Sequence, residues 1–338
     1  ILTLYFCKSF FGLDRVIFPE WFNAHNGVVH ILGSSAGAFR AACMTQKDPL
    51  SAINRLAECY SQTTYSDKPS SLEITRKARE LIHYVMGEDG VVELLLNKHR
   101  RAHIIAVQCH GLMESYGKLA QMLGLSFSVV ANAVDRRWLQ KYYTRFVFSA
   151  PDSRLRVHDP YRLRTRYFEL GHNNVKDILL ASGSIPMVLD GVEHVVSAPP
   201  GVYRDGGILD YHFDLSFGPE RGLALYPHFY RRPVAGWFDK PFKKRLVHDT
   251  SYHNVVMLVP SDEFVASLPF GKIPDRKDFE TMDAQTRIKY WQTVLSETDR
   301  LGEYFMRIVQ DGRIMDRIRP LPFACAHSED NPFNGSGL

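Results

Sequence analysis

Gly33-Ser34-Ser35-Ala36-Gly37 sets a serine between two glycines at the spacing G-x-S-x-G. That spacing suits a nucleophilic hydroxyl held at the apex of a tight strand-to-helix turn. A serine at the apex takes strained dihedrals, and Gly33 and Gly37 must be tiny or strand and helix collide. The helix start behind Ser35 would aim its N–H groups and the positive end of its dipole at a developing oxyanion, with Ala36 donating its backbone N–H. The bland alternative is a glycine-rich turn without chemistry, or a helix start that binds phosphate.

Asp205-Gly206-Gly207 is the second group, far downstream. An aspartate followed by two glycines can sit in a tight loop with its carboxylate exposed and no neighbouring side chain in the way. A plain Asp-Gly turn is the competing reading. His248 and His253, with Asp249 or Asp262 as orienters, would complete a conventional serine triad in the order Ser, Asp, His, although nothing marks either histidine. Asp210, His212 and Asp214 would share one face of an extended strand, near His228. No recognised metal-ligand spacing appears, so a polar layer ordering the Asp205 loop is favoured and no metal or cofactor is expected.

The elements that must position these residues follow from hydrophobic period and breakers. Residues 28–32 form a short β-branched run ending at Gly33, and helix formers follow over 36–46. Helical spacing recurs over 50–60, 72–86, 91–97, 112–123, 130–142 and 174–182. Strand patterns fall at 103–107, 145–148, 166–170, 223–226 and 254–259, and an apolar stripe of helical period runs over 276–318. Strands alternating with helices predict an α/β fold, a three-layer α/β/α sandwich with a mainly parallel central sheet. One domain over 1–319 and a flexible tail over 320–338 is the expected organisation.

Composition narrows the classes. The 338 residues are 45% hydrophobic and 23% charged, which excludes disorder, coiled coil and collagen as the main state. With 41 basic against 37 acidic residues, the net charge of +4 is too balanced to argue for nucleic acid. Basic clusters at 98–101, 154–166 and 243–245 read as solvated surface; the sharper reading is attraction to anionic lipid headgroups, a peripheral membrane contact. Five scattered cysteines without a C-x-x-C pair suit free thiols in a reducing, cytoplasmic setting. No apolar run is long enough to span a bilayer, and the start ILTLYFCKSFFG is a poor signal peptide. The missing initiating Met leaves a truncated or altered N-terminus open.

Taken together, the two motifs resemble those of the patatin-like lipid acyl hydrolases, marked by a G-x-S-x-G elbow and a downstream D-G-G/A. Ala181-Ser182-Gly183-Ser184-Ile185-Pro186 is similar to the family's A-S-x-x-I-P segment, and the likeness to one bacterial branch runs from Lys8 to about Arg319. The resemblance implies a patatin-like fold and a Ser–Asp dyad, with Ser35 as nucleophile and Asp205 as base. It implies a metal-independent serine ester hydrolase that cleaves fatty acyl esters of (phospho)lipids through an acyl-enzyme. Gly33, Gly37, Gly206 and Gly207 would support the motifs, and Ala36 with Lys8 would form the oxyanion hole. The family's glycine-rich oxyanion loop is not matched, because Leu4-Tyr5-Phe6-Cys7 precedes Lys8. A catalytically impaired lipid-binding pseudoenzyme is therefore an alternative, as is an esterase or thioesterase for soluble substrates. A lipid acyl ester is the expected partner, and no protein partner is predictable.

Overall fold

The computed structural model describes residues 2–4, 11–22, 27–217, 222–321 and 323. Its strands are β1 (Leu2–Leu4), β2 (Val29–Ser34), β3 (Arg100–Cys109), β4 (Tyr143–Ser149), β5 (Val157–His158), β6 (Thr165–Glu169), β7 (Val192–Glu193), β8 (Val202–Asp205), β9 (Ser216–Phe217), β10 (Ala224–Pro227) and β11 (Val255–Leu258). The main sheet runs β11-β10-β1-β2-β3-β4-β6, with β8 on β3 and β7 on β8; β5 and β9 form a separate ribbon.

The helices are α1 (Phe11–Val16), α2 (Ala36–Met44), α3 (Pro49–Gln62), α4 (Ser71–Met86), α5 (Gly90–Leu96), α6 (Lys118–Val134) and α7 (Val175–Gly183). In the C-terminal third come α8 (Asp249–Tyr252), α9 (Asp262–Ser267), α10 (Asp278–Thr281), α11 (Ala284–Glu297), α12 (Asp299–Gln310) and α13 (Ile314–Arg317). The single stripe expected over 276–318 is thus divided. Asp283 caps α11 by accepting the Thr286 N–H at 2.9 Å, and Gly312, at φ 68°, turns the chain out of α12.

The alternation of β3 sorts the core into two faces. Ala102, Ile104 and Ala106 pack with α2, α4, α5 and α7. Ile105 and Val147 face the segment carrying Phe213, Leu215 and Tyr252. An α/β/α arrangement results, but the sheet is mixed, which corrects the expected mainly parallel, patatin-like one. The pairs β11–β10, β10–β1, β1–β2, β2–β3 and β4–β6 are parallel. The pairs β3–β4, β3–β8 and β7–β8 are antiparallel. Strand–helix alternation predicts direction only where a crossover helix joins neighbouring strands in the sheet. β8 instead follows α7 through a loop and the short strand β7, with which it pairs antiparallel before running against β3.

The registers on β3 determine what meets at its middle. β2 climbs one edge of β3 until Ser34 lies opposite Ile105. β8 descends toward it from the other end, and its last residue, Asp205, lies opposite Ala106. The two strands thus meet end to end along one strand of the sheet. A buried ion pair fixes α2 behind this junction: Arg40 donates to both Asp14 carboxylate oxygens, at 2.8 and 2.5 Å, from α2 to α1.

Candidate functional site

Ser35 is the single residue between β2 and α2. Its φ of 55° and ψ of −131° fall outside the regions open to most residues with a side chain. The glycine before it is forced by crowding, since a Cβ on Gly33 would lie 2.3 Å from the Gly37 carbonyl oxygen. The turn closes where Ala38 N–H donates to the Ser35 carbonyl at 2.9 Å. The Ser35 N–H donates to Ser182 Oγ at 3.0 Å, and the Ser182 hydroxyl donates to the Ile105 carbonyl at 2.6 Å. Ser35 and Ala36 are half-buried. The first N–H groups of α2, beginning at Ala36, have no carbonyl one turn back to bond.

Asp205 ends β8, and its Oδ2 accepts the Ser35 hydroxyl at 2.7 Å across 170 residues of sequence. Its Oδ1 accepts the Gly207 N–H at 2.7 Å, and its own N–H donates to the Ser184 carbonyl at 3.1 Å. The A-S-x-x-I-P segment therefore holds both residues, Ser35 through Ser182 and Asp205 through Ser184. Gly206 has no room for a side chain, because a Cβ there would lie 2.5 Å from the Ile105 carbonyl oxygen and 2.6 Å from Ser34 Oγ.

The carboxylate is not exposed, as its loop sequence suggested, but 5% accessible. Burial raises its pKa to about 6, against the lowering effects of the Ser35 and Gly207 hydrogen bonds and the charges of Arg276 and Lys240. Lys240 lies with its ammonium 3.8 Å from the Tyr211 ring centroid. Desolvation and the charge of Arg276 pull it down to about 8, with Asp205 opposing. A strained hydroxyl, a desolvated carboxylate within hydrogen-bond reach and a helix start beside them are the parts of a nucleophilic centre. Sequence reasoning missed Lys240 and Arg276, and it named Ser182 and Ser184 only as parts of a motif, without their bridging role.

Other candidates fall elsewhere. Lys8 lies outside the described residues, and so does the loop expected to supply the second oxyanion donor. His248 bonds through Nδ1 to Asp214 Oδ2 at 2.8 Å, and His253 to the Thr250 carbonyl at 2.8 Å, while Asp262 pairs with Arg231. Residues 210–214 are not an extended strand. Asp210 pairs with Arg145 at 2.5 Å and His212 Nδ1 accepts the Val234 N–H at 2.6 Å. Among the described residues no group of three or more His, Cys, Asp or Glu could hold a metal ion. Several basic residues serve the fold: Arg100 and Arg101 donate to the Gln46 and Pro151 carbonyls, and Arg245 pairs with Asp239. No helix among the described residues is long and apolar enough to cross a membrane.

No family model matches the chain, and no curated protein matches it. The mixed sheet overturns the resemblance to the patatin-like lipid acyl hydrolases. The activity that came with it is withdrawn as well: the serine ester hydrolase acting on fatty acyl lipids, its lipid-binding and soluble-esterase variants, and the terms phospholipase, lipid degradation and bacterial lipid metabolism. The local geometry around Ser35 and Asp205 stands on its own distances.

Proposed function

We propose that Ser35 is a nucleophile and Asp205 its proton acceptor, in a centre that takes a group from an electrophilic substrate onto the serine oxygen. The observation that carries this reading is the 2.7 Å hydrogen bond from a strained, half-buried serine to a buried carboxylate. Asp205 Oδ2 takes the hydroxyl proton as Ser35 Oγ bonds the electrophilic atom. The displaced electron pair develops on a substrate oxygen facing the start of α2, where Ala36 N–H donates; its return breaks the bond to the leaving group, which departs with the proton from Asp205. Gly33, Gly37, Gly206 and Gly207 let the backbones approach closely enough for this contact. The free thiols Cys43, Cys59 and Cys109 support a reducing, cytoplasmic setting.

A fluorophosphonate probe tests the reading without assuming a substrate. Mass spectrometry should find the phosphonyl adduct on the peptide carrying Ser35, and Ser35→Ala should abolish it. Asp205→Asn should slow labelling by about 10²–10⁴-fold, the range of a lost general base. An adduct confined to other residues, or unchanged labelling in Asp205→Asn, would overturn the assignment.

A further inference from the structure

α6 is an inverted helix. Its inward face carries Gln121, Gly124, Ser128, Ala131 and Asn132, all buried and mostly small or polar. The polar ones are bonded: Gln121 Oε1 accepts the Met187 N–H at 3.1 Å, the Ser128 hydroxyl donates to the Gly124 carbonyl at 2.8 Å, and Asn132 Nδ2 donates to Asp239 Oδ1 at 2.8 Å. Gly124 lets Met113 pack closely, since a Cβ there would lie 2.7 Å from its Sδ. The large apolar side chains point the other way. Leu119, Val130 and Val134 are 68%, 62% and 64% exposed, and Met122, Leu123, Phe127 and Val129 are exposed beside them. At 100° per residue these positions fill one arc of about 160°, some 22 Å long. Ser126 is the one polar side chain in the arc, and its hydroxyl is folded back onto the Met122 carbonyl at 2.9 Å.

The charges around this face have one dominant sign. The helix contains a single charged residue, Lys118, at its start. Past its end come exposed Arg137 and Lys141, the latter with its ammonium 4.7 Å from the centroid of the exposed Trp138 ring. Arg245 donates to the Asn132 carbonyl at 2.9 Å, so the basic run Lys243-Lys244-Arg245 abuts the C-terminal half of α6. Of the nearby acids, Asp135 is engaged with Arg137, Asp239 with Arg136 and Arg245, and Glu114 with the Gly111 N–H, while Glu193 accepts the Tyr116 hydroxyl with Asp190 close by. Exposed Tyr116 and Trp138 stand at the two ends. An apolar arc, basic flanks and terminal aromatics are the pattern of a helix lying in a membrane interface.

We propose that α6 is a peripheral docking helix for an anionic lipid surface. It binds with its outward arc in the acyl boundary and with Lys118, Lys141, Lys243 and Lys244 against the headgroups. The helix joins the loop holding Met187, just past the A-S-x-x-I-P segment, to the turn holding Asp239, next to Lys240. Those inward contacts connect α6 to elements that flank the Ser35–Asp205 junction. The docking does not rest on the chemistry of that junction.

The test is flotation of the full chain with vesicles of phosphatidylglycerol and phosphatidylcholine in equal parts, and with phosphatidylcholine alone. The protein should float with the anionic vesicles, less so as salt rises. Leu123→Asp combined with Val130→Asp should weaken binding about tenfold or more, since charge on the apolar face opposes insertion. These are surface positions, and an unchanged far-ultraviolet circular dichroism spectrum checks the fold. Met315→Asp, on the exposed face of α13, and Ser35→Ala should bind like the wild type. Absence of binding, or equal binding by the double variant, would overturn the proposal. So would a concentration-dependent dimer that the double variant dissociates, which would make a second copy of the chain the occupant.

Discussion

Ile105 and Ala106, adjacent on β3, carry the two halves of the candidate site: Ile105 is paired with Ser34 and Ala106 with Asp205. One strand thus serves as the template on which a parallel neighbour and an antiparallel neighbour end face to face. The Ile105 carbonyl also accepts the Ser182 hydroxyl, whose oxygen in turn receives the Ser35 N–H. The strained backbone at Ser35 is held by this relay, because strain of that kind persists only where surrounding contacts over-determine it.

Ser182→Ala should test the relay. It removes the partner of the Ser35 N–H and leaves the Ile105 carbonyl short of a donor, at a cost of about 1–3 kcal/mol. A lower urea midpoint with unchanged slope would show the loss. Fluorophosphonate labelling of Ser35 should slow as well; unchanged stability and labelling would mean that the elbow holds itself.

The pKa of Asp205 sets the pH dependence. Only the carboxylate can accept the Ser35 proton, so labelling should rise with pH and level off above about 6. Stability should move the other way. The folded pKa lies above the ordinary aspartate value of 3.8, so the folded state binds the proton more tightly. That contribution is fully present below pH 3.8 and is lost as pH rises through about 6. Asp205→Asn should therefore gain up to about 3 kcal/mol at pH 8 and little at pH 4, read from denaturation midpoints at the two pH values.

Lys240 tunes that carboxylate from outside. Its charge lowers the Asp205 pKa, so Lys240→Met should shift the labelling limb to higher pH and Lys240→Arg should leave it near its original position. A pH profile of labelling rate that is identical in all three proteins would sink the coupling.

Gly33→Ala should be costly out of proportion to one methyl group. The Cβ would meet backbone, the Gly37 carbonyl oxygen at 2.3 Å, which cannot swing aside. Strand and helix must part, and about 1–3 kcal/mol or more is expected for such overpacking. Loss of Ser35 labelling together with a lower thermal midpoint is the expected outcome.

Asp14→Ala probes the buried pair behind α2. It leaves the Arg40 guanidinium, 0% exposed, without its carboxylate. A loss of about 3–5 kcal/mol is expected. A change below about 1 kcal/mol in chemical denaturation would show that other contacts carry that charge.

Much of the local structure was legible along the chain. The β-branched run before Gly33, the helix formers after Ala36 and the breakers at Gly87 and Gly183 are local signals, and β2, α2, α4 and α7 follow them within a residue or two. α6 was harder. Its apolar period suggested two helical pieces at 112–123 and 130–142, whereas one helix spans Lys118–Val134 between short 3-10 turns. A period locates an apolar face without saying whether that face is buried, and here it points outward.

Order along the chain was enough to single out a serine between small residues and an aspartate before two glycines, because steric need at a tight turn is written in a few adjacent residues. It could not place them 2.7 Å apart, nor bury the carboxylate, nor bring Lys240 and Arg276 to bear on it. Those relations depend on strand direction and register. Hydrogen bonding between β3, β2 and β8 decides both, and its partners lie from tens of residues to about a hundred apart. A helix-spaced or strand-spaced pattern reports which face of a segment is apolar, and only the assembled sheet decides what that face, or that turn, will meet.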